Sequence, residues 1–498
     1  MNRQSVLLSG WLILAAAGLQ AQFVYTTNNG AITITGSGDT NGAVVIPDQI
    51  TGLPVRTIGD NAFRGNSFLT SITFPDTLTS IGNQAFFLCT GLTNVSIGSA
   101  VSSIGSNAFA YCSSLTSVTI PGSVTSIGSY PFAQCASLTL ISVDASNPAY
   151  SSVDGVLFNK SQTTLIEYPG GKAGSYAIPE NVISIGNQAF SGCGSLTGVA
   201  IPDSVTEIGY LAFGFCSSLS HVMIGANVTR IGFSAFILCT NLAKVTMPDS
   251  VSSIGVNAFY DCTSLTGVTL GNSVANIADG LFYGCASLTN VAIPNSVTSI
   301  GNTAFYDCSG LSSVTIGTNV TTIGNQAFYD CTSLTNATIP GSVTNIGYLA
   351  FYGCPFSSIT IPSSVAGIGT NAFVGPLTKV YFQGNAPSAD SSVFAGDKAT
   401  AYYLPGTTGW GATFGGLPTA LWIPQLETTD SQFGLKTNAF GFSVNWASGR
   451  TVVVEASTDL ANPIWSPVQT NNLTGGAFYF ADPQWTNHSK RFYRIRWP

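Results

Sequence analysis

The apolar positions of this chain recur every 23 residues. One period runs through Leu115, Val118, Ile120, Val124, Ile127, Phe132 and Cys135, with Pro121, Ser123 and Gly128 between them. The same frame returns at Leu219, Leu242, Leu265, Leu288, Leu311 and Leu334. Cysteine marks it most clearly, at Cys89, Cys112 and Cys135, then from Cys193 through Cys216, Cys239, Cys262, Cys285, Cys308 and Cys331 to Cys354. A step this regular predicts a solenoid in which each repeat is one coil stacked on the last. The first half of a coil, Leu-x-x-Val-x-Ile, alternates around Val118 and Ile120 and predicts a short strand with one buried face. Pro or Gly then ends the strand. The second half reads Val-x-x-Ile-Gly-x-x-Ala-Phe-x-x-Cys. Phe132 and Cys135, three apart, belong on one side of a helical turn. Phe, Ala and Cys are therefore expected to point inwards, and the two residues between Phe and Cys outwards. Gly128 is read as a sharp turn that needs positive φ. Ser or Asn before the second Val, as at Ser123, Ser204, Asn227, Ser250, Asn319 and Ser342, is expected to satisfy backbone groups of the turn.

This pattern resembles the leucine-rich repeats of the BspA-like type, whose 23-residue coil ends in Ala-Phe-x-x-Cys. The resemblance covers roughly Ile58 to Phe394, about fourteen coils counted by the inward Phe. It implies a β-rich repeat solenoid, a stack of short parallel strands joined by turns and short helical turns. Three places depart from the frame. The coil between Cys135 and Cys193 is expanded and contains Val153-Asp154-Gly155-Val156-Leu157-Phe158 and Tyr168-Pro169-Gly170-Gly171-Lys172, which look like the longer repeat variant of that family. Ala278 follows Ile277 where Gly stands elsewhere, and Cys354-Pro355-Phe356 lacks one residue. Local bulges are expected at these points, with the stack unbroken.

The ends read differently. Residues 1–21 look like a secretory signal peptide: Arg3 precedes the apolar run Val6 to Leu19, with Ala21 as the expected cleavage point. That run is shorter than the ~18–20 apolar residues a membrane span needs; a retained anchor is the alternative. Residues 22–54 are expected to form a hairpin cap from Ala31–Thr35 and Ala43–Ile46. The repeat region is placed at 55–397 and a terminal cap or linker at 398–420. From 421 onwards cysteine disappears, while Trp422, Trp446, Trp465, Trp485 and Trp497 appear. Segments 440–446, 451–456, 477–480 and 491–497 alternate like strands, so a small antiparallel, sandwich-like β-domain is expected. Surface retention or secretion is the expected role of this module, with carbohydrate binding as the second.

Composition narrows the function. Hydrophobic residues make up 45% of the chain, charged residues only 7%, and the formal net charge is −7. A chain without a basic field is not expected to bind nucleic acid. Export would permit disulfides, but stacked cysteines should sit about 4.8 Å apart with parallel Cβ vectors. A disulfide needs Cβ atoms converging to ~3.8 Å, so a ladder of buried free thiols is expected. Zinc would need convergent ligands.

No catalytic set, metal site or cofactor is expected. His221 and His488 lie in different domains, and the cysteines have no neighbouring base. Asp261, Asp307 and Asp330 precede Cys on the outer side, too few to make a calcium site. Two stripes remain. Small polar residues such as Ser117, Thr119, Ser313 and Thr315 cover the strand face, interrupted by His221, Met223 and Lys244. On the opposite side Tyr260, Tyr283, Tyr306, Tyr329 and Tyr352 follow the inward Phe in five successive coils. This tyrosine row is the candidate binding strip, through rings that stack on sugars or partner side chains; His221 and Lys244 mark the alternative site on the strand face. Plain solvated β-surface accounts for either. The expected function is non-catalytic: a secreted or cell-surface bacterial protein that binds an extracellular protein or glycan, the adhesive role the resemblance implies. Ice or crystalline-polymer binding by the Thr/Ser ladder and a glycan-active enzyme are the disfavoured alternatives.

Overall fold

The computed structural model describes residues 23–38, 42–436 and 439–497. The expected signal peptide lies outside them. The repeats build a solenoid with two parallel ladders. On the first, strands such as Asn94–Ser96, Ser117–Ile120 and Leu140–Val143 pair so that Val95, Val118 and Ile141 lie in one row. Val118 and Ile120 are buried while Ser117 and Thr119 face solvent, as a period of two requires. The second ladder joins two-residue strands, Ser103–Ile104 with Ser126–Ile127 and Arg230–Ile231 with Ser253–Ile254. No α-helix occurs among the described residues; one 3-10 segment, Trp485–Asn487, lies near the C-terminus.

The Ala-Phe-x-x-Cys segment is a run of turns, tighter than the helical turn its spacing suggested. In the coil of Cys262, the N–H groups of Ala258, Tyr260 and Cys262 donate to carbonyls three residues back, at 3.3, 3.1 and 3.3 Å. The intervening N–H groups of Asn257, Phe259 and Asp261 donate to the next coil, to Asp279, Leu281 and Tyr283, at 3.0, 3.0 and 2.7 Å. This alternation needs a left-handed residue every four positions, here Asn257 at φ 57° and Asp261 at φ 52°. It satisfies the backbone twice over, within the coil and along the stack. Ala258, Phe259 and Cys262 point inwards and are buried.

Inside, like stacks on like. Phe213, Phe236 and Phe259 lie face to face with ring centroids 5.0 and 5.2 Å apart. All eleven cysteines are free and buried. Each thiol is more than a small hydrophobe: Cys262 Sγ donates to the Phe236 carbonyl at 3.2 Å, and Cys239 Sγ to that of Phe213 at 3.1 Å. The small polar residues do satisfy turn carbonyls, but in the preceding coil, as Ser123 Oγ does at Val101 O (2.7 Å) and Ser250 Oγ at Val228 O (2.7 Å).

Gly128 is required for a different reason than expected. Its φ is not positive. A Cβ there would lie 2.4 Å from Ser106 N and 2.8 Å from Gly105 C, the backbone of the coil below. Close approach of two main chains selects Gly in this row. Ala278 shows the alternative. Gly255 N donates to Ile231 O at 2.8 Å and Gly301 N to Ile277 O at 2.8 Å, yet Ala278 N makes no such bond. The second ladder stops at Ser253–Ile254 and restarts at Asn276–Ile277. Phe259 and Phe282 stand 5.8 Å apart across this fault. The stack itself continues, as expected.

The expanded repeat folds as antiparallel strands Tyr150–Val153, Val156–Asn159 and Thr164–Glu167. The last pairs in parallel with Ser184–Ile185 and so re-enters the ladder. Tyr168 takes the place of the inward Phe and stacks on Phe190 at 4.9 Å. Glu167 beside it is buried, its carboxyl pushed well up by burial and held only by the Phe132 N–H.

At the N-terminus the hairpin does not pair Ala31–Thr35 with Ala43–Ile46, and its second strand pairs in parallel with Leu53–Ile58. Phe23–Asn28 pairs with Ala31–Ser37 across Asn29-Gly30, both at positive φ (49° and 73°), as a type I′ turn needs. Gly42–Val45 instead starts the strand-face ladder beside Leu69–Thr73. At the other end two antiparallel sheets face each other. One holds Gln425–Glu427, Gly434–Leu435, Phe440–Asn445 and Ala477–Asp482; the other holds Thr451–Ser457, Ser466–Asn472 and Phe492–Arg496. Phe442, Val444, Val454 and Phe480 fill the space between them. Strand Leu417–Leu421 straddles the expected domain boundary. Leu404 of the last coil shares a core with Trp446, Val452 and Leu473 of the module, and Trp446 Nε1 donates to Trp422 O at 2.8 Å.

Candidate binding faces

The turn geometry fixes the tyrosine row. Phe and Cys claim the inner side, so the residue after Phe points out, and inter-coil bonding repeats it at one-coil steps. Tyr260, Tyr283, Tyr306, Tyr329 and Tyr352 form a continuous column with centroid separations of 4.5, 4.6, 4.7 and 4.9 Å and interplanar angles of 7° or less. Every ring is therefore half-buried against its neighbours. Ile237 precedes the column and Val374 follows it in the same ladder position. Burial first, then the neighbouring Tyr260 and Tyr306, push the Tyr283 hydroxyl up to about 12. The ring faces that would stack on a sugar are already occupied. What the column offers a ligand is a line of ring edges and neutral hydroxyls.

The strand face places the alternative pair together. His221 and Lys244 are exposed register partners on adjacent strands. His221 Nδ1 lies 3.2 Å from Ser220 Oγ, and its ring lies over Gly198, where a Cβ would meet Nε2 at 2.2 Å. Gly267 on the far side of Lys244 is open. Met223, 68% exposed, stands in the same strand as His221. Among the described residues Lys244 has no ion pair. The pair thus rises from a flat, neutral surround.

A third feature escaped sequence reading. Thr360, Tyr381 and Tyr402 are register partners on successive strands. Tyr381 stacks on Tyr402 at 5.4 Å and meets Trp422 at 4.6 Å. The signal was present: Tyr replaces Thr at an outward strand position in two consecutive coils. Lost cysteine spacing after Cys354 hid the frame.

Among the described residues no three His, Cys, Asp or Glu converge. The carboxyls of Asp261 and Asp330 are raised, by burial first and by Asp307 second. Burial also raises the thiols of Cys239, Cys262 and Cys308, which opposes nucleophilic use. No described helix is long and apolar enough to cross a membrane.

No curated protein matches the chain. Among solved structures, a leucine-rich repeat protein from Eubacterium ventriosum is 27% identical, covering 66% of this chain and 91% of its own, with a TM-score of 0.49. One from Bacteroides ovatus is 27% identical, covering 72% and 93%, with a TM-score of 0.49. A leucine rich cell surface protein from Faecalibacterium prausnitzii is 27% identical, covering 59% and 93%, with a TM-score of 0.32. The BspA type leucine rich repeat region matches in three overlapping stretches, 56–173, 168–285 and 252–380, which together span well over half of the sequence. With its coil geometry, thiol ladder and Phe column, the chain belongs to the BspA type leucine rich repeat family.

Proposed function

We propose that this protein is a secreted or cell-surface scaffold, without catalytic activity, that binds an extracellular protein or glycan through its strand face. The observation that carries this is the exposed His221–Lys244 pair with Met223, raised on a flat parallel ladder of small polar residues. A cation, an imidazole and a thioether give a partner specific contacts, while the surrounding Ser and Thr side chains make few competing demands. The apolar run Val6 to Leu19 supports export, and repeat proteins bind along extended faces. The tyrosine column supports a second site, through its hydroxyl edges only. A binding array of glycans and matrix proteins, probed with the mature chain, tests both. His221→Ala with Lys244→Ala should remove most binding to any positive spot, and Tyr283→Ser with Tyr306→Ser should leave it unchanged. The opposite pattern moves the site to the column, and binding that survives both pairs removes both faces.

A further inference from the structure

The strand-face ladder is broken at one coil. It runs to Ser313–Thr315, stops, and restarts at Ser358–Ile361. The segment between, Thr335-Asn336-Ala337-Thr338-Ile339, is in register by sequence but makes no ladder bond to either side. In the coils where Pro follows this position, as Pro340 follows Ile339, the equivalent residue donates to the next coil, as Met247 N does to Thr269 O at 2.9 Å and Ile293 N to Thr315 O at 2.8 Å; Ile224, Leu270 and Ile316, followed by Gly, make no such bond. The carbonyl in the place of Thr335 accepts from the next coil, as Thr289 O does from Ser312 N at 3.0 Å. Ile339 N and Thr335 O have no partner among the described residues. The side-chain ladder stops as well. Thr266, Thr289 and Ser312 each donate to the coil below, and the series resumes only with Thr378 to Ser357 O at 2.9 Å.

The other sides of the same coil stay closed. Thr322–Ile323, Asn345–Ile346 and Gly367–Ile368 remain paired, and Asp330 N still reaches Tyr352 O at 2.8 Å. The stack is therefore opened on the strand face alone. Two sequence features lie at the break. Ala337 replaces the β-branched Val291, Val314 and Ile359 of nearby coils, and the next connection, Cys354-Pro355-Phe356, is one residue short. The result is a cleft of about 400 Å³. Ala337, Ile339 and Ile359 line its apolar part; Asn336, Ser358 and Thr360 supply polar groups, and no charged residue lines it.

We infer that this cleft takes an uncharged extended peptide segment, which enters as an extra parallel strand between Asn336–Ile339 and Ser358–Ile361. The size fits. A slot for one three-residue strand measures roughly 10 × 4.8 × 10 Å, about 480 Å³, from ordinary sheet spacings. The chemistry fits as well: the main chain left without partners takes backbone hydrogen bonds, and the alternation of apolar and polar lining suits alternate side chains of a strand. Small or β-branched neutral residues match a lining without charge. This site lies several coils from His221 and Lys244 and does not depend on them.

Hydrogen exchange of the mature chain, read by mass spectrometry, tests it. In the free protein, amides of 335–339 should exchange at least tenfold faster than those of 312–316. The probe is the acetylated, amidated tetrapeptide Ser-Val-Thr-Ile, the sequence of a strand this fold already holds, at millimolar concentration. It should slow exchange at 335–339 at least tenfold, and the same peptide N-methylated at alternate amides should not. Ala337→Val, which restores the residue of the neighbouring coils, should abolish the slowing while the melting temperature holds or rises. His221→Ala with Lys244→Ala should leave it intact, so failure of the strand-face patch is read separately. Equal protection by the N-methylated peptide, protection by chitotriose in place of the peptide, or no protection by any probe overturns the proposal.

Discussion

Gly255→Ala should wedge two coils apart. An added Cβ would stand 2.4 Å from Phe233 N and 2.5 Å from Gly232 C. Both atoms are backbone, so neither can swing away, and ordinary contact requires roughly 1 Å of separation. Gly255 N–H then loses Ile231 O, now 2.8 Å away, and the pairings of Ser253 with Arg230 and Ile254 with Ile231 weaken. Three bonds at about 1 kcal/mol each amount to about 3 kcal/mol. Against this, Ala restricts the unfolded chain and returns about 0.5–1 kcal/mol. The net is about 2 kcal/mol of local destabilisation. The molecule contains its own control, since at Ala278 the bond is absent and the Phe rings part to 5.8 Å against 5.2 Å one coil earlier. Hydrogen exchange over 250–256 reports the effect, because a solenoid loosens locally first. Exchange at 253–255 as slow as in the wild type would refute the close-approach explanation of this glycine row.

Three further outcomes follow from the same geometry. Phe259→Ala removes a fully buried ring between Phe236 and Phe282 and should cost about 3–5 kcal/mol, seen as fast exchange spreading from Cys262 into the adjoining coils. The eleven thiols should resist alkylation in the native state, since burial pushes thiols such as Cys262 and Cys308 up, and mass spectrometry after alkylation in denaturant without reductant should find all of them labelled. Glu167 gives a pH dependence with a defined sign. Burial raises its carboxyl well above the ordinary 4.5, so the folded chain holds a proton that the unfolded chain has lost. Stability contributed here is full below about pH 4.5 and falls as pH rises towards the folded value. Glu167→Gln keeps an acceptor for Phe132 N–H and should raise the melting temperature at pH 7–8 with no gain at pH 4; a equal shift at both pH values would count against a neutral Glu167.

The repeat was legible because burial leaves a periodic trace. Val118, Phe132 and Cys135 each occupy a core position that recurs at a fixed step, and their inward direction followed from spacing alone. Contacts between backbones leave a fainter trace. Gly128 was assigned to positive φ because one sequence shows that Gly is required without showing what approaches it. The helical turn was inferred from a three-residue spacing that i→i−3 turns with left-handed residues produce equally well. In the same way, Asn83 Oδ1 accepts from Ser106 N at 2.8 Å and Asn302 Oδ1 from Asn325 N at 2.9 Å, a ladder no single coil reveals. The five tyrosines line one column, and their rings stack on each other, an outcome set by the distance between coils. The cleft at Ala337 was out of reach: what coincides with it, Ala in place of a β-branched residue and a connection one residue short, are small changes in the sequence.

Because Phe meets Phe, thiol meets Phe carbonyl, and most of the Ser and Asn side chains meet the turn below, junctions in a regular stretch join the same kinds of parts. A coil is therefore an interchangeable unit. Excision of residues 279–301, one 23-residue period, would bring Phe259 and Tyr260 against Phe305 and Tyr306 and Cys262 beneath Cys308; of the side-chain bonds at the new junction, those of Asn302 to Asp279 would be lost, with Val256 in that place. An excision of 22 or 24 residues would set Phe beside polar neighbours. Length in such a chain can change in whole coils by recombination between near-identical segments, and the reach of the molecule can drift without any new interface having to evolve.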